Sequence, residues 1–121
     1  MKRLILIILL FPALAFGAHQ HLEKDYQAAW CKQTGGVTEY RLDDAARVDC
    51  LTATHAIEFD FSAKWAEGIG QALYYGIKTG KTPGVVLIVE RPKDQKHVNR
   101  LRVVAEKYGI TVWLMTPGDL K

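Results

Sequence analysis

His55-Ala-Ile-Glu-Phe-Asp-Phe61 is the stretch on which the reading of this chain turns. Its residues alternate: Ile57, Phe59 and Phe61 fall on one side of an extended strand, and Glu58 and Asp60 on the other. Upstream, Val37–Leu42 and Arg47–Thr52 are short β-type runs separated by the turn pair Asp43-Asp44, which predicts a hairpin. The hairpin places Asp49 on the strand next to Glu58 and Asp60. Three converging carboxylates with little to neutralise them suit a hard divalent cation such as Mg²⁺ or Mn²⁺. A lone Glu-x-Asp reads more simply as a solvated sheet face.

Before the hairpin, Leu22, Tyr26, Ala29 and Trp30 recur at helical spacing, so His21–Lys32 reads as an amphipathic helix stopped by Gly35-Gly36. After the acidic strand, Ser62 reads as the N-cap of a helix to about Lys78, with Trp65, Ile69, Ala72, Leu73 and Ile77 on its apolar side and Gly80 as its stop. Val85–Val89 is an unbroken apolar strand of the kind buried on both faces of a parallel sheet, closed by Pro92. A helix from about Asp94 to Tyr108 ends at Gly109, and Thr111–Met115 is a last strand. The expected order is αβββαβ followed by αβ, an α/β domain with a mixed central sheet flanked by helices. Residues 18–121 hold no repeat and no linker and form one domain.

On the helix after the acidic strand, Lys64, Gln71 and Tyr75 lie within about 20° of one line at 3.6 residues per turn. A lysine there can reach the ground above Glu58 and Asp60 and offer positive charge to a phosphate oxygen. Exposed helix residues and a half-buried tyrosine would give the same stripe on any amphipathic helix.

The N-terminus points to export. Lys2 and Arg3 precede an apolar run, Leu4–Phe16, too short to span a bilayer, which needs about 20 apolar residues, and small residues at Ala13, Ala15 and Gly17 supply a peptidase site. Residues 1–17 read as a cleaved signal peptide, and the remainder as a periplasmic or secreted domain without stable membrane anchoring. In an oxidising compartment the only two cysteines, Cys31 and Cys50, are expected to pair. Losing Lys2 and Arg3 lowers the formal charge from +3 to +1, so global charge excludes little. The C-terminal half is nonetheless basic, and Lys93, Lys96, Arg100 and Arg102 are candidates for phosphate contacts, with an ordinary solvated helix as the plain alternative.

These residues together resemble the core of the PD-(D/E)XK nuclease superfamily, over His21 to about Val89. In that resemblance Asp49 is the metal-binding aspartate, Glu58 the second acid, and Gln71 with Tyr75 the Gln-x-x-x-Tyr element of RecB-like members; Glu23 matches an acid some members carry on the first helix. Asp60 stands where the family usually has lysine, and Lys64 on the next helix is its relocated counterpart. The resemblance implies a restriction-endonuclease-like fold and an exported Mg²⁺- or Mn²⁺-dependent nuclease, DNA being favoured over RNA. Asp49, Glu58 and Asp60 would serve the metal, Lys64 the developing charge, and Gln71, Tyr75, Lys93, Lys96 and Arg100 the substrate. A non-catalytic periplasmic binding or accessory protein retaining the fold is the alternative.

Other features carry less. His19-Gln20-His21 would form an amino-terminal copper element only if cleavage fell after Ala18, which Phe16 disfavours. His55 and His97 lack partners at zinc-ligand spacing. Gly68-x-Gly70 reads as close helix packing, and Thr79-Gly-Lys-Thr82 as a turn rather than a phosphate loop.

Overall fold

The computed structural model describes residues 18–121; the leader expected at 1–17 lies outside the described residues. Short β runs joined by tight turns pair with their chain neighbours, and β1 (Val37–Arg41), β2 (Arg47–Leu51) and β3 (His55–Phe61) form an antiparallel meander. Helix α2 (Trp65–Thr79) then carries the chain back to β4 (Thr82–Ile88), which pairs parallel to β3. Helix α3 (Gln95–Tyr108) does the same for β5 (Thr111–Met115), parallel to β4. The result is one mixed five-stranded sheet in the order β1-β2-β3-β4-β5, preceded by helix α1 (Glu23–Gln33).

Each face of the sheet has its own core. Under α1, Tyr26 and Cys31 pack with Cys50, Ile57, Phe59, Val86, Ile88 and Met115, and Trp30 and Trp113 close the edge. Under α2 and α3, Ala72, Val98, Leu101 and Ala105 cover Val85 and Leu87. A third cluster, Leu42, Val48, Ala56 and Tyr75, fills the space between α2 and the meander. The run Val85–Ile88 is therefore buried on both faces, as its unbroken apolar sequence requires.

The differences from the expected elements have local causes. Helix α1 begins at Glu23 rather than His21, and Leu22 is its exposed N-cap, because the residues before it are held by Glu90. Ser62 opens a 3₁₀ turn, Ser62–Lys64, and the α-helix starts at Trp65 with no side-chain cap. Ile77, placed with the core by its spacing, is 81% exposed at the last turn of α2, beyond the reach of α3 and the sheet. Gly70 faces open space, whereas Gly68 does pack closely, against Asp60.

The Cys31–Cys50 disulfide joins α1 to β2, with 5.8 Å between the Cα atoms. Gly36 makes room for it, since a Cβ there would stand 2.5 Å from Cys50 Sγ and 2.8 Å from Cys31 Sγ. No helix of the described residues is long and apolar enough to cross a membrane. Closing a loop with a sequence separation of 19 stabilises the chain by about 3 kcal/mol on chain-entropy grounds. The C31A/C50A double variant should therefore unfold roughly 12–24 °C below the parent in a thermal melt. A loss of only 1–2 °C would show that the cross-link adds nothing to the fold.

Candidate active site

Strand alternation breaks at Asp49. Val48 packs toward α2 and Cys50 toward α1, although residues two apart on a regular strand share a face. Pairing of β2 with β3 holds at Leu51↔Ala56 and Cys50↔Ile57, and past that point the N–H of Phe59 donates instead to Asp49 Oδ2, at 2.8 Å. The carboxylate of Asp49 has entered the ladder and splays the two strands. Neighbouring β1 yields as well: Glu39 sits in the left-handed region at φ 53°, a backbone strain on the order of 1 kcal/mol for a residue other than glycine. Gln27, buried on α1, braces the distortion, its Nε2 donating to Asp49 O at 2.7 Å and to Glu39 Oε1 at 3.0 Å.

Two further acids stand on the neighbouring β3. Glu58 and Asp60 project from β3 toward α2 and are each only 5% exposed, which removes the solvated-face reading. Burial drives the Glu58 carboxyl far above the ordinary carboxylate range; the nearby Asp49, which accepts a hydrogen bond from it, and then the charges of Asp60 and Glu23 push it further. Asp49 is itself raised by burial, against the pull of the Phe59 N–H and of Glu58. Asp60 is pushed up to about 7 by burial first, then by Glu23, Asp49 and Glu67, with Lys64 pulling the other way. Glu23, from the first turn of α1, is raised by burial and by Asp49, while Lys64 and His19 lower it.

Asp49, Glu58, Asp60 and Glu23 thus act on one another's charge, and Lys64 acts on Asp60 and Glu23. Tyr75 lies buried beneath them, and burial followed by the charges of Glu58 and Asp49 moves its phenol up to about 12. Gln71 stands exposed one turn earlier on α2. Lys93, Lys96, Arg100 and Arg102 are exposed on the 3₁₀ turn Pro92–Asp94 and on α3, and none is among the charges that act on the acids. His55 is held between Thr54 Oγ1 at 2.7 Å and Thr111 Oγ1 at 2.9 Å, away from the acids. Sequence reasoning missed Gln27, whose polar side chain next to Tyr26 on a buried face was the available signal. It also missed that Gly68 admits Asp60, whose Oδ2 would lie 2.8 Å from a Cβ at that position.

Glu58 Oε2 and Asp60 Oδ2 are buried without a hydrogen-bond partner, and carboxylate oxygens are the ligand type Mg²⁺ takes. Among the described residues no group of three acidic, His or Cys side chains is arranged to hold one metal ion.

Carboxyls raised above their unfolded values bind protons more tightly in the folded state, so their stabilising share is complete below about pH 4 and is lost as pH rises through the folded value, near 7 for Asp60. Glu58→Gln and Asp60→Asn should each raise the melting temperature at pH 8 by several degrees and flatten the fall between pH 4 and pH 8. About 5 mM Mg²⁺ should raise the parent at pH 8 and leave Glu58→Gln unmoved. Variants that melt lower than the parent at pH 8 would show these groups to be structural acids. No protein-family model, no characterised protein and no solved structure matches this chain.

Proposed function

We propose that the domain is an exported, divalent-metal-dependent phosphodiesterase of the PD-(D/E)XK type that cleaves nucleic acid, DNA more readily than RNA. One observation carries the reading: the buried carboxyls of Glu58 and Asp60 on β3 and of Asp49 on the splayed β2 lie near enough to raise one another, with Glu23 of α1 and Lys64 of the turn before α2 acting on the same group. The element order, αβββαβ with an αβ extension, supports the restriction-endonuclease-like core on which that combination would be expected. Such a site retains mutually repelling, buried carboxyls that destabilise the domain, and metal binding is the physical reason to keep them.

Asp49 and Glu58 would hold Mg²⁺ or Mn²⁺, with Asp60 as a further oxygen donor or as the acceptor that orients a ligand. Bound there, the metal supplies Lewis acidity to the phosphoryl group and lowers the pKa of water. The remaining work belongs to the chain. Lys64 stands at the rim, close enough to act on Asp60 and Glu23, and presents its ammonium to phosphate oxygens that gain charge in the transition state. Tyr75 gives the acids a rigid floor, and Gln71, exposed one turn away, is placed to hold the sugar-phosphate strand. The exposed Lys93, Lys96 and Arg100 would meet more distant phosphates. The Cys31–Cys50 disulfide supports action in an oxidising compartment.

The test is cleavage of single- and double-stranded DNA and of RNA by the processed, oxidised protein in Mg²⁺, in Mn²⁺ and in EDTA. The expected result is metal-dependent cutting that falls by about 10³-fold or more in Glu58→Gln and about 10²-fold in Lys64→Met, with both variants folded. Absence of cutting by the folded parent with either metal would favour the non-catalytic accessory role, with Asp60 in place of lysine as the cause.

A further inference from the structure

A second cleft lies on the opposite face of the sheet from Glu58 and Asp60, on the side where Trp30, Ile57 and Trp113 join the core beneath α1. A cavity of about 290 Å³ opens there between the end of α1, the turn from β2 to β3 and the ring of Trp113, with Trp30, Thr34, Thr54, His55 and Ile57 on its walls. That is the small end of ligand clefts, about 300–1,000 Å³, and leaves room for a single ring. The walls are held from behind. Trp30 precedes Cys31, which the disulfide ties to β2. Both ring nitrogens of His55 are engaged, by Thr54 Oγ1 at 2.7 Å and by Thr111 Oγ1 at 2.9 Å. Trp113 lies across β4 because position 84 is glycine, where a Cβ would stand 2.7 Å from Trp113 Cζ3. Three half-buried rings are thereby fixed, with Trp113 centred 5.1 Å from both Trp30 and His55. Supporting contacts of this kind preorganise a binding site.

The lining selects the ligand. No Asp, Glu, Lys or Arg side chain lines the cavity, so an ion entering it would lose hydration without compensation. Trp30 and His55 are inclined to Trp113 by 60° and 71°, which makes an open corner rather than the parallel slot that would sandwich a flat base. A puckered ring fits such a corner, its weakly positive C–H groups against the electron-rich faces of the indoles. The rim is hydroxylic. Thr34 spends its one hydroxyl hydrogen on the Cys31 carbonyl at 3.0 Å and keeps capacity to accept from a ligand hydroxyl, and Thr54 is exposed opposite it across the cavity.

We infer that this cleft binds a neutral sugar ring, one unit of a saccharide, with Trp30 and Trp113 against its C–H groups and Thr34 and Thr54 at its hydroxyls. The site is separate from the acids and stands whether or not the domain cleaves nucleic acid. His55 and Gly84 are positioning residues, the first bracing one wall and the second seating Trp113.

The test follows the indole N–H signals of Trp30, Trp65 and Trp113 by NMR, with Trp65, which packs against the core beneath α2 and α3, as the internal control. Titration with chitotriose, cellotriose and maltotriose to about 20 mM should move Trp30 and Trp113 together and saturably with at least one sugar, at a millimolar or tighter Kd, and leave Trp65 in place. Trp113→Leu should weaken that binding about tenfold or more. Thr54→Val, at the exposed rim, should weaken it about fivefold, and it decides the matter if Trp113→Leu does not fold. No movement with any of the three sugars, a Trp65 signal that moves as far as the other two, or an affinity unchanged in Thr54→Val would overturn the assignment. Movement with adenosine and with no sugar would overturn it as well and make a nucleobase the ligand.

Discussion

The hydrogen bond from the Phe59 N–H to the Asp49 carboxylate is the constraint on which the rest of this structure depends. A strand ladder satisfies its own N–H groups, so a side chain that replaces a ladder acceptor forces the two strands apart while leaving no donor orphaned. The Asp49 carboxylate occupies the gap so made. On one side of Asp49 the strand belongs to the core beneath α2, through Val48; on the other it belongs to the core beneath α1, through Cys50 and its disulfide. A single residue thereby joins both layers of the domain to the acid cluster.

Holding the gap open has a cost spread over three elements. Glu39 is strained, Gln27 is spent on two acceptors, and at least two carboxylate oxygens have no partner. Against these stand the doubly covered strand β4 and a cross-link that anchors α1, and with it Glu23 and Gln27, beside β2. The arrangement is a local departure from the consistency that otherwise runs from pattern to packing, and such departures concentrate at functional sites.

What could be read from the sequence follows from which forces are local. The period-two alternation of His55–Phe61, the unbroken Val85–Ile88 and the glycines that stop α2 and α3 at Gly80 and Gly109 are near-neighbour signals, and each led to the right element. Asp49, Glu58 and Asp60 were legible as a group because a hairpin and an alternating strand bring them together by geometry alone. The change of face at Asp49 was not legible, because Val48 and Cys50 look like an ordinary same-face pair until their partners are known. The start of α1 was misplaced for a similar reason: what ends the helix is a contact with Glu90, about seventy residues away in sequence. Ile77 fitted the helical period but lies beyond the last neighbour able to cover it.

The splay at Asp49 also says what would have to travel with this site if it were built into another sheet. Copying the acids onto a regular antiparallel pair would leave the Asp49 equivalent pointing to one face of an intact ladder, with Phe59's counterpart bonded to backbone. The transferable unit is larger and less obvious: a strand that changes sides at the aspartate, a neighbouring strand willing to bend at the Glu39 position, a glutamine from the covering helix to stitch the two, and a glycine on the opposite helix to admit the third acid. A scaffold lacking any of these would display the carboxylates without the splay that turns Asp49 into the ladder.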